Sequence, residues 1–527
     1  IQTDQKALEY IALSYCWGPN PEENSKTTTA NVGNRLRPKS LPRDAFPAAI
    51  KDAITVSERL GIKYIWVDAF CIIQDDPRDK ELELGNMSRY YKNSHLTIAV
   101  STPRCPAGFT GTSGRCEQHP DSPLPRDLVP LDFFALYRDI DHGKSGKLYV
   151  REENPYHLAE EHINRRAWTL QECVLAPRVL MFGSRVMWFC QHSTRSDGGV
   201  EDWSFDESDL EGTRRQFQME LNKLDREEEE GGSKAPLSDV ARGTASTNDG
   251  RDVYDLWHRI VQSYSRRGIT HSSDKFPAIS AIAAEFSRLS GDDYLAGSWR
   301  ATLPRDLLWT TPDPATHKPV AWRAPTWSWA SVDDTILYTH PPPKDATLFI
   351  EVNKAETVPL AAEVPFGEIG RACLEITGPS LTIKARPDED RSKFSAPWLQ
   401  SFQMQGGSSE RYMLLEALKR NYRLDKASHG AGGEGGDGKK DDFVLPEEVT
   451  VVLFYGKRDE LVRSKKRKAD TDRKQDNRWT TWGLLLKPVM GEDGEMYYER
   501  VLSFSGLPMN LEDEEIMKTQ RSTIRMI

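Results

Sequence analysis

The chain of 527 residues is short of cysteine: it has 7, an odd number, and none lies in a C-x-x-C pair. Zinc ribbons and disulfide scaffolds both need regular cysteine spacing, so neither class fits. Cys16, Cys71, Cys173 and Cys190 fall in apolar strand-like or helical runs, where a buried thiol is the ordinary occupant, and a reducing compartment is expected. Long hydrophobic runs are also missing. None approaches the roughly 20 residues that span a bilayer, and the best stretch, Tyr64 to Ile73, is interrupted by Asp68. No signal-peptide or transit-peptide pattern is visible. An excess of positive charge is absent too. The formal net charge is −10, which argues against a general nucleic-acid binder. G-x-G-x-x-G after a strand, G-x-x-x-x-G-K-[ST] and H-E-x-x-H do not occur, and a lone Cys190-x-His192 is too sparse for a metal site.

What is present is a globular composition, 38% hydrophobic and 28% charged, in a chain long enough for two or three domains. Four regions are expected: an α/β domain over residues 1–200, an acidic linker over 201–250, a helical segment over 251–310 and a β-rich domain over 311–527. Insertions interrupt the last of these near 425–442, which is Gly-rich, and near 463–478. The second contains a basic run, Arg463 to Lys474, read as a solvated hairpin loop, with nuclear targeting as the functional alternative.

The first region alternates strand and helix. Tyr10 to Trp17 reads as a strand followed by a turn. Phe46 to Leu60 has helical spacing, with Pro47 at its start and Gly61 beyond its end. Lys63 to Ile73 reads as a strand buried on both faces, Asp79 to Asn93 as a helix, and His95 to Ser101 as a third strand. That order implies a parallel sheet flanked by helices. Lys147 to Arg151 reads as a further strand, Asn164 to Val174 as a helix and Val179 to Cys190 as a hairpin or one long strand. The acidic Glu227 to Glu230 reads as a solvated loop. Helices are expected over Val253 to Tyr264 and Phe276 to Leu289, the latter capped by Ser273 or Asp274. From about Ala324 short strands follow, PTWSWASV, TLFIEV, ACLEI, SLTIKA, VTVVLFY, WGLLLKPV and RVLSFSG, which suggest a sandwich or barrel.

Three segments in order resemble the fungal heterokaryon-incompatibility (HET) domain: LSYCWG at Leu13 to Gly18, IWVDAFCIIQDD at Ile65 to Asp76, and RRAWTLQECVLAPRVLMFG at Arg165 to Gly183. DKFPAISAIA, YLAGSW and RAPTWSWASV are similar to segments that follow this domain in family members. The resemblance implies a Rossmann- or flavodoxin-like fold, remotely similar to Toll/interleukin-receptor domains, and a part in fungal non-self recognition and cell death. It also implies an incompatibility partner or self-assembly, and NAD as a possible substrate with no required cofactor. Where the family commonly carries Trp after the residue matching Asp79, this chain has Lys80, which removes an aromatic wall. The expected setting is cytoplasmic, with no membrane and no nucleic-acid partner; the basic run Arg463 to Lys474 is the one exception, as a nuclear-localisation or polyanion-contact patch.

Open α/β sheets bind ligands at the carboxyl ends of their strands. Ser14, Tyr15 and Trp17 after the first strand, and Asp68, Cys71 and Gln74 after the second, would reach one rim and could anchor a nucleotide. Glu83 shares a helical stripe with Met87 and Tyr90. A carboxylate there either lines a cleft or is neutralised by an arginine such as Arg166 or Arg178. Trp168, Gln171 and Glu172 could furnish a second wall. Two readings follow: cleavage of the nicotinamide–ribose bond of NAD by Glu83 and Asp68, or a non-catalytic adaptor working through protein contacts. A thiol hydrolase using Cys71 lacks a marked histidine base.

Overall fold

Four consecutive residues of Tyr10–Ser14 are buried, which a strand achieves only inside a sheet covered on both faces. The computed structural model describes residues 8–17, 26–37, 40–101, 108–109, 161–183, 186–196, 210–230, 253–312, 319, 321–338, 341–384, 403–404, 448–458, 478–510 and 521–527. Two units divide the chain, Ile1–Lys223 and Leu224–Ile527.

In the first unit the described elements run β1 (Tyr10–Ser14), α1 (Val32–Arg35), α2 (Ala48–Leu60), β2 (Tyr64–Val67), α3 (Asp68–Cys71), α4 (Pro77–Lys92), β3 (Leu96–Val100), α5 (Thr169–Val174), β4 (Arg178–Phe182), β5 (Val186–Cys190), β6 (Thr194–Ser196) and the first part of α6 (Leu210–Glu229), which continues past Lys223. The sheet order is β2-β1-β3-β4-β5-β6. The first four strands are parallel, and β5 and β6 pair antiparallel, so the expected parallel sheet is a mixed one. One face packs Ile11, Leu13, Ile98 and Val100 against Ala49, Ile50 and Ala53 of α2. On the other, Trp66 stacks on Tyr90 of α4 with ring centroids 4.9 Å apart, and Ala99, Val179 and Met181 pack with Cys173.

Local chemistry sets the ends. Gly61 closes α2 at φ 73, a left-handed conformation that glycine adopts without a Cβ clash. The Asp76 side chain caps α4 by accepting from the backbone of Arg78 and Asp79, with Pro77 in the first turn. Three expectations change here. The apolar run Lys63 to Ile73 is not one strand: β2 stops at Val67, because the Asp68 carboxylate accepts the Ala69 N–H at 2.6 Å and Thr27 N–H takes the Ala69 carbonyl at 2.8 Å. Asn164 to Val174 is not one helix but a 3-10 turn, His162–Arg165, followed by α5. The Thr169 hydroxyl donates to the carbonyls of Ile163 and Arg166 at this break. The acidic Glu227 to Glu230 run is largely exposed, yet it closes helix α6 rather than forming a loop. The proposed strand Lys147 to Arg151 lies outside the described residues.

The second unit contains α7 (Val253–Ser265), α8 (Pro277–Ser290), β7 (Tyr294–Leu295), β8 (Ser298–Trp299), α9 (Leu303–Asp306), β9 (Thr347–Leu348), β10 (Glu351–Pro359), β11 (Ile369–Lys384), β12 (Gln403–Met404), β13 (Glu448–Arg458), β14 (Arg478–Met490), β15 (Met496–Asn510) and β16 (Arg521–Met526). Pairings run from β11 to β16, β15, β14, β13 and back to β11, so five strands close a ring, a barrel-like solution to the exposed-edge problem. ACLEI and the SLTIK of SLTIKA are parts of the single strand β11. PTWSWASV is not a strand: Trp327 and Trp329 are fully buried around a 3-10 turn, Trp329–Ser331. The backbone closes on itself, the Ser328 N–H donating to the Pro325 carbonyl at 2.9 Å and the Ser331 N–H to the Ser328 carbonyl at 3.1 Å, while the indoles of Trp257 and Trp329 both donate to the Gly297 carbonyl at 2.9 Å. A 3-10 turn, Ser272–Lys275, leads into α8 in place of the expected side-chain cap. The Gly-rich stretch His429 to Lys440 and the basic run Arg463 to Lys474 lie outside the described residues. Among the described residues no helix is long and apolar enough to cross a membrane.

Candidate functional site

Because β1, β2 and β3 are parallel neighbours, their carboxyl ends meet at one rim. Ser14 is the last residue of β1 and Asp68 the first after β2. Helix α5 brings Glu172 to the same place: the Ser14 hydroxyl donates to Glu172 Oε2, and Glu172 is 7% exposed. Trp17, just past β1, donates its indole N–H to both oxygens of Asp68, at 3.1 and 2.9 Å. Arg166 Nη1 donates to the Tyr15 carbonyl at 2.8 Å, and its guanidinium also bonds the Cys16 side chain. Behind them the Tyr91 hydroxyl donates to the Leu13 carbonyl at 3.3 Å.

The electrostatics follow from this crowding. Burial pushes the Asp68 carboxyl up to about 7, and the negative charge of Glu172 adds to the rise. The Ala69 and Trp17 hydrogen bonds and the Arg166 charge oppose it without cancelling it. Burial, then Glu172 and Asp68, raise the Tyr91 phenol well above its usual range. Arg166 is held above its ordinary value: burial would lower it, but Cys16, Glu172 and Asp68 outweigh that. The rim therefore holds two carboxyl groups that resist simultaneous ionisation, one guanidinium, an indole and a phenol. Such a set can exchange a proton near neutral pH and stabilise positive charge.

The remaining residues singled out from the sequence take other positions. Glu83 Oε2 accepts the Tyr90 hydroxyl at 2.5 Å along its own helix, and its described hydrogen bond is to no member of the Asp68 group. Cys71 ends α3 and is exposed, not buried as its apolar run predicts; neighbouring protein, and then the charges of Asp68 and Glu83, raise its thiol. Gln74 braces the same turn, donating to the carbonyls of Asp68 at 3.1 Å and Ile72 at 3.2 Å. Trp168 stands at the N-terminus of α5, partly buried. Gln171 is buried, and neither atom of its amide has a hydrogen-bond partner among the described residues, a costly state for an amide. Tyr15 is buried and contributes its carbonyl.

Two members of the group were not chosen from the sequence. The sequence pattern offers Arg166 as a partner for Glu83 and sets Tyr90, not Tyr91, on the Glu83 stripe. The paired Arg165-Arg166 at the head of the third motif was the available signal for the first. For Tyr91, one residue of helical phase decides which phenol faces the sheet. The other arginine weighed for Glu83, Arg178, donates to the His95 carbonyl at 2.7 Å. No group of three His, Cys, Asp or Glu that could hold a metal occurs among the described residues.

No curated protein and no solved structure matches the chain. Residues 10–172 match the family model described as heterokaryon incompatibility protein (HET). The matched span runs from the first residue of β1 to Glu172 and so takes in Ser14, Trp17, Asp68, Arg166 and Glu172. The rim group thus belongs to a HET domain, and the chain carries that domain over residues 10–172.

Proposed function

We propose that the protein is an incompatibility effector whose HET domain hydrolyses the nicotinamide–ribose bond of NAD at the Asp68–Glu172 rim. One observation carries this reading: the Asp68 carboxyl lies at the carboxyl ends of parallel strands, influenced by Glu172, with its proton retained up to about pH 7. The strand order β2-β1-β3-β4 is that of doubly wound nucleotide-binding sheets, whose crevice opens beside the strand where the order reverses. Here that strand is β1, which ends in Ser14.

Hydrolysis breaks the C1′–N bond, and its electron pair leaves with nicotinamide. Water adds at C1′ and loses a proton, giving ADP-ribose. Glu172, which accepts the Ser14 hydroxyl, stabilises the positive charge that develops on the ribose. Asp68 accepts the proton from water, a role suited to a carboxyl poised near neutral pH. Trp17, fixed by its bond to Asp68, supplies a ring on which the base stacks. Assembly with an incompatibility partner or with further copies of the chain turns the activity on, and cell death follows from NAD loss.

The test is NAD turnover by the purified chain in its assembled state, followed as nicotinamide and ADP-ribose. Asp68→Asn and Glu172→Gln should each lower turnover by roughly a hundredfold or more, with NAD binding retained. Loss in Glu83→Gln but not in Asp68→Asn would move the chemistry to α4 and overturn the assignment. NAD bound normally yet left intact by the assembled protein would leave the adaptor reading in its place.

A further inference from the structure

The second unit contains a cleft of about 270 Å³, and we propose that it binds a small phosphate-bearing ligand. Its floor is one stripe of α7. Asp255, His258, Arg259 and Gln262 recur at i, i+3, i+4 and i+7 and all line the cleft, as residues on a single helical face must. The opposite face of the helix, with Trp257, Ile260, Val261 and Tyr264, is buried in the unit. Arg305 of α9 and Tyr338 complete the polar wall, and Leu308 supplies an apolar one.

Charge and geometry name the ligand. Two guanidinium groups border the cleft, and one of them, Arg305, pairs with Asp255 at 3.2 Å. Guanidinium groups match the paired oxygens of a phosphate. His258 lines the same cleft and is held firmly. Its Nε2 lies 2.8 Å from Asp306 Oδ1, and Asp306 Oδ2 is fixed by the Trp299 N–H and the Thr302 hydroxyl, both at 3.0 Å. The imidazole stacks on the Tyr338 ring at 3.8 Å and 11°, and Gln262 Oε1 accepts the Tyr338 backbone N–H at 3.0 Å. This scaffold leaves Nδ1 of His258 without a partner among the described residues, ready to accept from a P–OH or, when protonated, to donate to a P–O⁻.

The second observation is the Tyr338 hydroxyl, which is buried and has no hydrogen-bond partner among the described residues. The Tyr338 side chain lines the cleft, a buried O–H left unmade is costly, and a shift of the phenol that brings its hydroxyl to a ligand oxygen removes that cost. The volume sits at the small end of ligand sites. It suits a monophosphate or an inorganic phosphate and is too small for a dinucleotide. Every residue of this site belongs to the second unit, so the inference is independent of the chemistry proposed for the HET domain.

Titration calorimetry of the whole chain with inorganic phosphate, with AMP and with malonate tests it. Saturable binding of phosphate or AMP is expected, weakened about tenfold in Arg259→Gln. Tyr338→Phe, which keeps the stacked ring and removes the unpartnered hydroxyl, should weaken it about threefold with a melting midpoint no lower than the parent's. Glu172→Gln should bind as the parent does. Three results overturn the proposal: no saturable heat with either phosphate or AMP, malonate binding more tightly than both, or equal affinity in the parent and both cleft variants.

Discussion

Trp17 donates one indole N–H to both carboxylate oxygens of Asp68, 51 positions away in the chain, its nitrogen lying 3.1 Å from one and 2.9 Å from the other. This bond fastens the turn after β1 to the turn after β2. It also favours the charged form of Asp68, against burial and the Glu172 charge that favour the neutral one.

Replacing Trp17 by Phe keeps an aromatic ring and removes the donor. Asp68 should then hold its proton more tightly, by roughly threefold to tenfold. A carboxyl-carbon NMR titration reads this directly, as the Asp68 midpoint moving above about 7. An unmoved midpoint would mean that the indole bond carries no electrostatic weight.

The same carboxyl links stability to pH. Folded Asp68 keeps its proton up to about 7, whereas an unperturbed aspartate loses it near 3.8. Between those values the folded chain binds more protons than the unfolded one. The stability contributed by this group is therefore full below about 3.8 and is lost as pH rises through about 7. Asp68→Asn abolishes that dependence. In urea titrations at pH 5 and pH 8, the parent should lose roughly 1–3 kcal/mol more than the variant on going to the higher pH.

Lys275 runs the other way. It is buried near the rings of Tyr264 and Trp329, 6.0 Å from each centroid. Burial, and then the charge of Arg323, lowers its amine from 10.5 to about 8. Between those values the unfolded chain binds more protons, so this residue's contribution to stability rises with pH through that window. Lys275→Met should remove the rise and gain roughly 1–3 kcal/mol at pH 7, measured by denaturant titration at pH 7 and pH 10.

Gly297 has φ 94, and a Cβ there would lie 2.4 Å from the Trp329 indole nitrogen. Gly297→Ala should cost about 2 kcal/mol or more, from left-handed strain plus displacement of a buried indole. Gly494→Ala is the control. Its φ is 78, with nothing within 4 Å of a Cβ, so only the backbone strain of about 1 kcal/mol applies. Equal melting midpoints for the two variants would contradict this account.

Much of the first unit was legible in the sequence because its signals are local. The 3.6-residue periodicity of Ala48–Leu60 and the Pro47 and Gly61 that flank it mark a helix without tertiary information. Placing Ser14 and Asp68 at one rim needed only the alternation of strands and helices. The Asp68–Trp17 bond, the Arg166 contact with Tyr15 and the turn of α3 were not legible. Each depends on which carbonyl or carboxylate a distant segment presents, and residue order does not encode that. Apolar runs misled twice, at Lys63 to Ile73 and at Pro325 to Val332. Buried strands, buried turns and short helical caps share one composition. The polar stripe of α7 could have been read from spacing alone, since Asp255, His258, Arg259 and Gln262 interrupt an otherwise apolar helix.

The pairing of β3 with β4 has a consequence for biosynthesis. β3 ends at Val100 and its outer neighbour begins at Arg178, so on the ribosome a Leu-Thr-Ile-Ala-Val edge emerges long before the segment that covers it. Such an edge invites pairing with another nascent chain. Slow synthesis between these two strands should therefore promote aggregation, and a chaperone that shields β3 should relieve it.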